Sequence, residues 1–209
     1  MTWYITVLPL LLQGALNAVI LMLVSLVAST VIGAGLALVD IWGPRWCRVP
    51  IRLFSWIGRS LPPLLVLFAV FYLTTAAGWR LSPMTAAIIA FTFFGTAYKY
   101  EIIRSALLSV PKGQFEAGAA LGIPFSSLLF RVVIRQAIPL MAPSYISHTT
   151  VLLKETSLAS AISVLDIMGA VNGLIYSAGN TMVLMLMAAA LYLVINGVMI
   201  VIETRLRRT

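Results

Sequence analysis

The sequence predicts an all-α membrane protein with about five transmembrane helices, and two observations support this. Of the 209 residues, 61% are hydrophobic and only 10% are charged, whereas a soluble domain carries about 25% charged residues. Long stretches without a charged residue recur along the chain, and each can hold the roughly 20 apolar residues that cross the hydrocarbon as a helix. These uncharged stretches are 1–39, 60–79, 81–98, 136–153 and 167–202.

The composition of each stretch refines the predicted helices, which cover about 7–38, 51–77, 83–110, 132–153 and 181–202. Gly14, Gly33 and Gly35 indicate close helix packing in the first span. Pro62 and Pro63 break the second span, because together they remove two backbone donors. Irregular backbone at that depth either packs against a neighbouring helix or lines a pathway.

The second half of the chain is less regular. Pro139 and Pro143 are expected to interrupt the fourth span. Residues 154–180 include Asn172, Ser177 and Asn180 and are too polar for a simple span. We therefore predict a partly inserted or external segment there, followed by the fifth span.

The net charge of +8 is distributed unevenly between the connections. The second connection holds only Arg80, whereas the first and third connections and the C-terminal tail are rich in lysine and arginine. Basic residues gather on the cytoplasmic side of a membrane protein. This pattern predicts an external N-terminus and a cytoplasmic C-terminus, and the small soluble surface argues against nucleic-acid binding.

Charged and catalytic residue types are few inside the spans. Glu101 and Arg104 are three residues apart, so they share a helix face and can pair. Lys99 is predicted to snorkel to the interface. His148, the single histidine, is predicted to be a packed helix residue rather than a metal ligand. No catalytic triad, Cys/His pair or glycine-rich phosphate loop is evident, so no catalytic or metal site is predicted.

The connection after the third span differs from an ordinary loop. Residues 114–121 can form two helical turns, with Glu116 in the first turn, where a carboxylate suits the helix dipole. Gly122 follows as a C-terminal cap. One small apolar face is formed by Ala117, Ala120 and Leu121. This pattern predicts a cytoplasmic docking helix, and the lack of bulky apolar residues argues against a helix lying on lipid.

This loop resembles the EAA motif of permease subunits in ABC-type importers. Glu116-Ala117-Gly118, three residues and Gly122 match the motif, with Gly118 at the usual second alanine. Further stretches resemble the polar amino acid branch, whose members carry histidine, glutamine, arginine or opines, namely 58–65, 95–104, 109–114 and 153–158. The family's Pro-Gln-Ala is here Arg135-Gln136-Ala137, so the break in span four is expected one turn later.

The resemblance implies a type I ABC importer permease fold, with one transmembrane permease domain over 1–209 and a coupling loop at about 111–130. It implies a chain in the bacterial inner membrane that forms half of the pathway for a polar amino acid or related zwitterion. Its expected partners are two ATPase subunits, a second permease (identical or homologous), an external or periplasmic substrate-binding protein and membrane lipid. The chain would not be an enzyme and would bind no cofactor, since ATP and magnesium belong to the ATPase.

Two sets of site residues follow. The ATPase-coupling set is Gln114, Glu116, Ala117, Gly118, Ala120, Leu121 and Gly122. A zwitterion needs both signs of charge along its path, and such groups must face the bundle interior. The pathway set is therefore Arg59, Ser60, Tyr98, Lys154, Glu155, Thr156 and Ser157. Lys154 and Glu155 could instead be an external interface pair.

Two other functions stay open from the sequence. One is an ion-coupled secondary transporter of small polar solutes, which would need an acidic residue near the middle of a span. Glu101, Glu155 and Asp166 all map near span ends or outside the spans. The other is a non-transporting membrane scaffold.

Overall fold

A computed structural model describes residues 2–175 and 180–206, with side-chain surroundings for 7–175, 180–201 and 205. Every regular element within those ranges is helical, which confirms the all-α prediction. The elements in chain order are α1 Thr2–Trp42, α2 Arg45–Ser60, α3 Pro63–Ala76, α4 Pro83–Leu108, α5 Lys112–Ala120, α6 Phe125–Leu128, a π-turn Leu129–Val133, α7 Ile134–Glu155, a 3-10 helix Thr156–Ile162, α8 Ile167–Leu174 and α9 Thr181–Leu206.

Four helical segments of the described chain are long and apolar enough to cross a membrane. They are Val7–Trp42, Pro83–Leu108, Phe125–Ile162 and Thr181–Val201. The bent pair α2–α3 raises the number to five if it counts as one span. The predicted number of about five spans is therefore confirmed.

Helix α1 packs along α4 at the centre of the bundle, and small residues allow the close approach. A Cβ at Gly33 would lie 2.8 Å from the backbone nitrogen of Tyr100 in α4. A Cβ at Gly14 would lie 2.6 Å from the carbonyl oxygen of Asp166, directly before α8. Helix packing through these two glycines is confirmed. Gly35 has open space around it, so the same prediction is wrong there.

Helices α2 and α3 meet at an angle of 105°, as the two prolines predict. Pro62 is extended and Pro63 begins α3, where its missing N–H costs no helical bond. Helix α2 packs on α4, since a Cβ at Gly58 would lie 2.6 Å from Ala97 Cβ and the Ser55 hydroxyl donates to the Ala97 carbonyl over 3.3 Å. In the irregular segment itself, Leu61 packs against the buried cluster that contains Ala86, Ala87 and Ala90 of α4, which favours packing against a neighbouring helix over lining a pathway.

The predicted interruption of the fourth span is wrong. Helix α7 continues from Ile134 to Glu155 through Pro139 and Pro143. The departure from α-helical geometry lies earlier, at the short π-helix Leu129–Val133. Each proline removes one backbone hydrogen bond. Proline is tolerated inside a membrane helix because neighbouring groups and small local adjustments satisfy the freed carbonyls.

The segment after α7 does not cross the bundle as a further span. Helix α8 has 8 residues, too few for a membrane crossing. Its N-cap is Asp166, whose carboxylate accepts hydrogen bonds from Gly169 N over 2.9 Å and Met168 N over 3.3 Å. Its buried residues Ile167, Ala170 and Val171 pack with α1. The predicted non-spanning segment is confirmed over these residues, whereas Ser177, named above for its polarity, lies outside the described residues.

A buried carboxylate joins three helices at one end of the bundle. Asp40 of α1 has a side chain only 1% exposed and accepts from Arg52 Nε of α2 over 3.1 Å. Arg104 Nε of α4 also donates to it, as does the Tyr100 hydroxyl over 3.1 Å. Helices α2 and α4 are thereby fixed to α1.

The same end of the bundle carries the predicted pair on α4. Arg104 lies 3.6 Å from Glu101, which confirms that pair. Glu101 also lies 3.7 Å from Arg59 of α2. Both distances are longer than those at Asp40, and Glu101 is 37% exposed, so this outer pair is the weaker one.

We predict that Asp40→Asn destabilises the fold, because it leaves Arg52 and Arg104 without their buried carboxylate. The cost should be about 3 kcal/mol, at the lower end for a broken buried pair since Arg52 is half-exposed. Thermal unfolding of the detergent-purified chain should then shift down by about 6–12 °C. The matched variant Glu101→Gln removes an exposed carboxylate and should cost less than about 1 kcal/mol. Equal shifts for the two variants would contradict the central role of Asp40.

Candidate functional site

Helix α5 is the short capped helix predicted after the third span. Its C-terminal end forms a Schellman motif, in which Gly122 N donates to Ala119 O over 3.1 Å and Ile123 N donates to Gly118 O over 2.9 Å. Gly122 has φ +66°, a conformation that glycine adopts without strain. The predicted cap is therefore present.

The N-terminal end of α5 differs from the prediction. The helix begins at Lys112, directly after Pro111, and not at Gln114. Pro111 is the N-cap residue, and Gln114 N already donates to its carbonyl over 3.0 Å. Glu116 consequently stands in the second turn, beyond the first turn where the helix dipole acts, and its predicted placement is wrong.

One face of α5 lies on the bundle. Gly118 is buried, and a Cβ there would lie 2.7 Å from Leu128 Cδ2, so α5 packs closely on the Leu128 side chain at this position. The Phe115 ring lies 6.3 Å from that of Trp42, and Trp42 packs at 5.5 Å against Phe125. These contacts hold α5 at the end of α1.

The opposite face of α5 is exposed. Leu121 is 76% exposed, and the other exposed members of the predicted coupling set are Glu116, Ala117, Ala120 and Gly122. Gln114 is half-buried and Gly118 is buried. The predicted set thus divides into an exposed face and a contact that holds the helix in place.

A second feature is a cavity of about 620 Å³ between α4 and α7. Two residues of the predicted pathway set, Tyr98 and Glu155, line it together. The full lining consists of Phe94, Tyr98, Ile102, Pro143, Ser144, Ser147, His148, Val151 and Glu155. The spacing i, i+3, i+4, i+7 relates four of the α7 members, namely Ser144, Ser147, His148 and Val151, which therefore share one helix face.

The cavity wall combines stacked rings with polar atoms that lack partners. The His148 ring stacks on Tyr98 at 4.6 Å and on Phe94 at 6.1 Å. Its burial at 7% exposure confirms the prediction of a packed helix residue. Among the described residues, neither ring nitrogen of His148 nor Oε2 of Glu155 has a hydrogen-bond partner. Buried polar atoms are nearly always paired, so these atoms are available to water or a polar solute.

Lys99 lies next to this wall, and the prediction that it snorkels is wrong. Its side chain is fully buried, and Nζ donates to Tyr145 O and Thr149 Oγ1, both over 3.0 Å. The ammonium also lies 3.4 Å from the centre of the Tyr145 ring, a cation–π contact. Since α7 covers the side chain and supplies these partners, Lys99 fastens α7 to α4.

The remaining predicted pathway residues lie elsewhere. Arg59 pairs with Glu101, and the Ser60 hydroxyl donates to Trp56 O over 2.8 Å. Lys154 is exposed. Thr156 is buried and donates to Leu153 O over 2.7 Å, and Ser157 donates to Lys154 O over 2.8 Å. None of these five is among the residues that line the α4–α7 cavity.

Sequence reasoning missed Asp40 and the cavity role of His148. Asp40 ends the first uncharged stretch, and its partners Arg52 and Arg104 are remote in sequence. The cavity face of α7 could have been found, because Ser144, Ser147, His148 and Glu155 recur at helical spacing within an apolar span.

Residues 29–209 match the family described as the binding-protein-dependent transport system inner membrane component. The match covers most of the chain, and the chain belongs to this family. The resemblance drawn from the EAA-like loop is thereby confirmed.

Several relatives show the same relationship. The octopine transport system permease protein OccM of Rhizobium radiobacter is 34% identical over 195 residues, which are 89% of this chain and 80% of that protein. The L-cystine transport system permease protein TcyB of Bacillus subtilis (strain 168) is 36% identical over 159 residues, or 76% of this chain and 68% of that protein.

Solved structures share the fold. The crystal structure of an amino acid ABC transporter with histidines superposes with a TM-score of 0.89 at 22% identity, covering 98% of this chain and 95% of that chain. An inward-facing structure of the MetNI methionine ABC transporter gives 0.81 at 19% identity, covering 95% of both chains. The all-helical architecture of this chain is therefore that of ABC importer transmembrane subunits.

Proposed function

We propose that this chain is the permease subunit of an ATP-driven importer and forms half of the pathway for a polar amino acid or a related zwitterion, such as an opine. Family membership argues against a secondary transporter or a scaffold. The observation that carries the proposal is α5, a capped helix that Gly118 and Phe115 hold on the bundle while Glu116, Ala117 and Leu121 stay exposed. Such a helix suits the reception of force from another protein.

The partners follow from this role. A chain whose sequence shows no phosphate-binding loop must obtain energy through contact, so we infer two ATPase subunits that bind ATP and magnesium and dock on α5. A second permease, identical or homologous, completes the pathway, and an external binding protein delivers the solute. The relatives that act in octopine and L-cystine transport systems support a zwitterionic cargo.

We propose an external N-terminus and a cytoplasmic C-terminus, which puts α5 on the ATPase side. Arginines at the start of α2 and in the C-terminal tail support this orientation through the distribution of basic residues. In a Cys47→Ala background, Ser82→Cys should react with an impermeant thiol reagent added outside, whereas Lys112→Cys should react only after the cytoplasmic side is opened. The reverse labelling pattern would overturn the orientation.

The coupling role predicts the effect of Glu116→Lys. Because Glu116 is exposed and stands in the second turn of α5, charge reversal should leave folding and membrane insertion intact. Docking of the ATPase should weaken, so that less ATPase co-purifies and uptake falls at least severalfold. The matched charge reversal Arg80→Glu, at an exposed residue outside α5, should retain both. Normal uptake with a full complement of ATPase in Glu116→Lys would count against coupling through α5.

The cavity suggests how a zwitterion is held. Glu155 offers a carboxylate for an ammonium group, and its Oε2 has no partner among the described residues. His148 and Tyr98, whose rings stack at 4.6 Å, offer polar atoms to the carboxylate end of the solute. We therefore propose Glu155 as the principal charged group of the pathway, with Tyr98 and His148 beside it.

This assignment predicts different effects at two neighbouring residues. Glu155→Gln keeps the shape and removes the charge, so uptake should fall about tenfold, the loss expected for one charge-assisted hydrogen bond. Preference among cationic, neutral and acidic amino acids should also change, while assembly with the ATPase stays intact. Lys154→Gln removes the adjacent exposed charge and should leave transport unchanged. Wild-type uptake and selectivity in Glu155→Gln would return Glu155 to the role of an interface residue.

A further inference from the structure

Helix α2, Arg45–Ser60, has three distinct faces. At 3.6 residues per turn, Ile51, Ser55 and Gly58 fall on one side, and these are its buried residues. A second side carries all four arginines of the helix, Arg45, Arg48, Arg52 and Arg59, within an arc of about 60°. The third side is apolar and exposed, formed by Trp46, Val49, Leu53, Trp56 and Ile57.

The contacts of α2 keep it near one surface of the membrane. Phe54 packs on Phe93 with ring centres 5.2 Å apart, and Arg59 lies 3.7 Å from Glu101. Glu101, like Arg104 at the Asp40 cluster, belongs to the second half of α4, and Phe93 lies near the middle of that helix, whereas α3 packs against Ala86, Ala87 and Ala90 near its start. After the bend of 105°, only α3 continues toward the opposite surface.

The arginine side of α2 carries more positive charge than the chain neutralises. Helix α2 contains no acidic residue. Arg52 and Arg59 pair with Asp40 and Glu101, but Arg45 and Arg48 have no carboxylate partner among the described residues. Trp46 is 77% exposed and lies on the apolar side, about 100° around the helix from Arg45. Arg45 is exposed, whereas Arg48 is half-buried and donates one hydrogen bond to the Ile41 carbonyl over 3.3 Å. The start of α2 thus carries two arginine charges that no described carboxylate neutralises.

We propose that the first two turns of α2 form a binding surface for anionic phospholipid, with Arg45 and Arg48 on the headgroup phosphate and Trp46 and Val49 in the acyl boundary. Arginine donates a planar pair of hydrogen bonds that matches phosphate oxygens, and tryptophan favours the headgroup level. A surface helix with a basic stripe beside an aromatic stripe has the composition of helices that lie in the interface. Anionic lipid supplies the negative charge that this stripe lacks.

The test uses quenching of tryptophan fluorescence by brominated lipid in the full-length chain. Trp46 is kept as the single tryptophan by changing Trp3, Trp42, Trp56 and Trp79 to phenylalanine, and the chain is reconstituted in phosphatidylcholine vesicles. Brominated phosphatidylglycerol is compared with brominated phosphatidylcholine as quencher. We expect phosphatidylglycerol to be preferred at Trp46 about fivefold or more, since one basic residue near the surface contributes about that factor.

Two controls fix the interpretation. Arg45→Gln with Arg48→Gln should bring the preference at Trp46 close to one, and both changes spare the arginines paired with Asp40 and Glu101. A chain that keeps only Trp79, exposed beside the single arginine Arg80 in the second connection, should show a smaller preference than Trp46, where two arginines contribute. Equal quenching of Trp46 by the two lipids would overturn the headgroup assignment. Absence of quenching by either lipid would show that protein, such as a second permease, covers this face, and would overturn the proposal as well.

Discussion

The hydrogen bonds of the buried Asp40 carboxylate are the interaction on which the α5 end of this bundle depends. This carboxylate accepts hydrogen bonds from Arg52, Arg104 and Tyr100, and so fixes α2 and α4 against the end of α1. Two residues further along the chain, Trp42 packs on Phe115 and Phe125. The position of α5 therefore rests on a helix end that three donors hold in place. A carboxylate with only 1% of its side chain exposed tolerates neither loss of charge nor displacement of its partners.

Helix α4 joins this cluster to the cavity. Tyr100 and Arg104 face Asp40, while Lys99, one residue earlier, fastens α7 through Tyr145 and Thr149. The cavity lies between these same two helices and opens onto Tyr98 and Glu155. Helix α4 thus contributes both to the support of α5 and to one wall of the proposed pathway. This arrangement supports the proposal that movement at α5 reaches the solute, because packed helices shift as units rather than deform continuously.

The sequence was sufficient for features that depend on local chemistry. Uncharged stretches located the spans, Pro62 and Pro63 marked the bend, and Gly122 marked the end of α5. It failed where tertiary contacts decide. Lys99 is buried because α7 supplies acceptors 46 and 50 residues away, and Asp40 finds its partners up to 64 residues away. Pro139 and Pro143 do not interrupt α7, because a membrane helix tolerates proline where small local adjustments satisfy the freed carbonyls. Of the pathway set, only Tyr98 and Glu155 meet in the cavity, because the local turns that hold Ser60, Thr156 and Ser157 direct their hydroxyl groups to nearby carbonyls.

The central claim is that the exposed face of α5 receives the ATPase, and site-directed cross-linking tests it most directly. In a Cys47→Ala background, Ala120→Cys lies on that face. The control Ser82→Cys lies directly before α4, at the opposite end of α4 from α5. With the ATPase co-expressed and a short thiol-to-amine cross-linker added, Ala120→Cys should form an adduct between the two proteins. Its yield should change when ATP is bound, and Ser82→Cys should form none. Active transporter that gives no adduct from Ala120→Cys, or an equal adduct from both positions, would contradict the account.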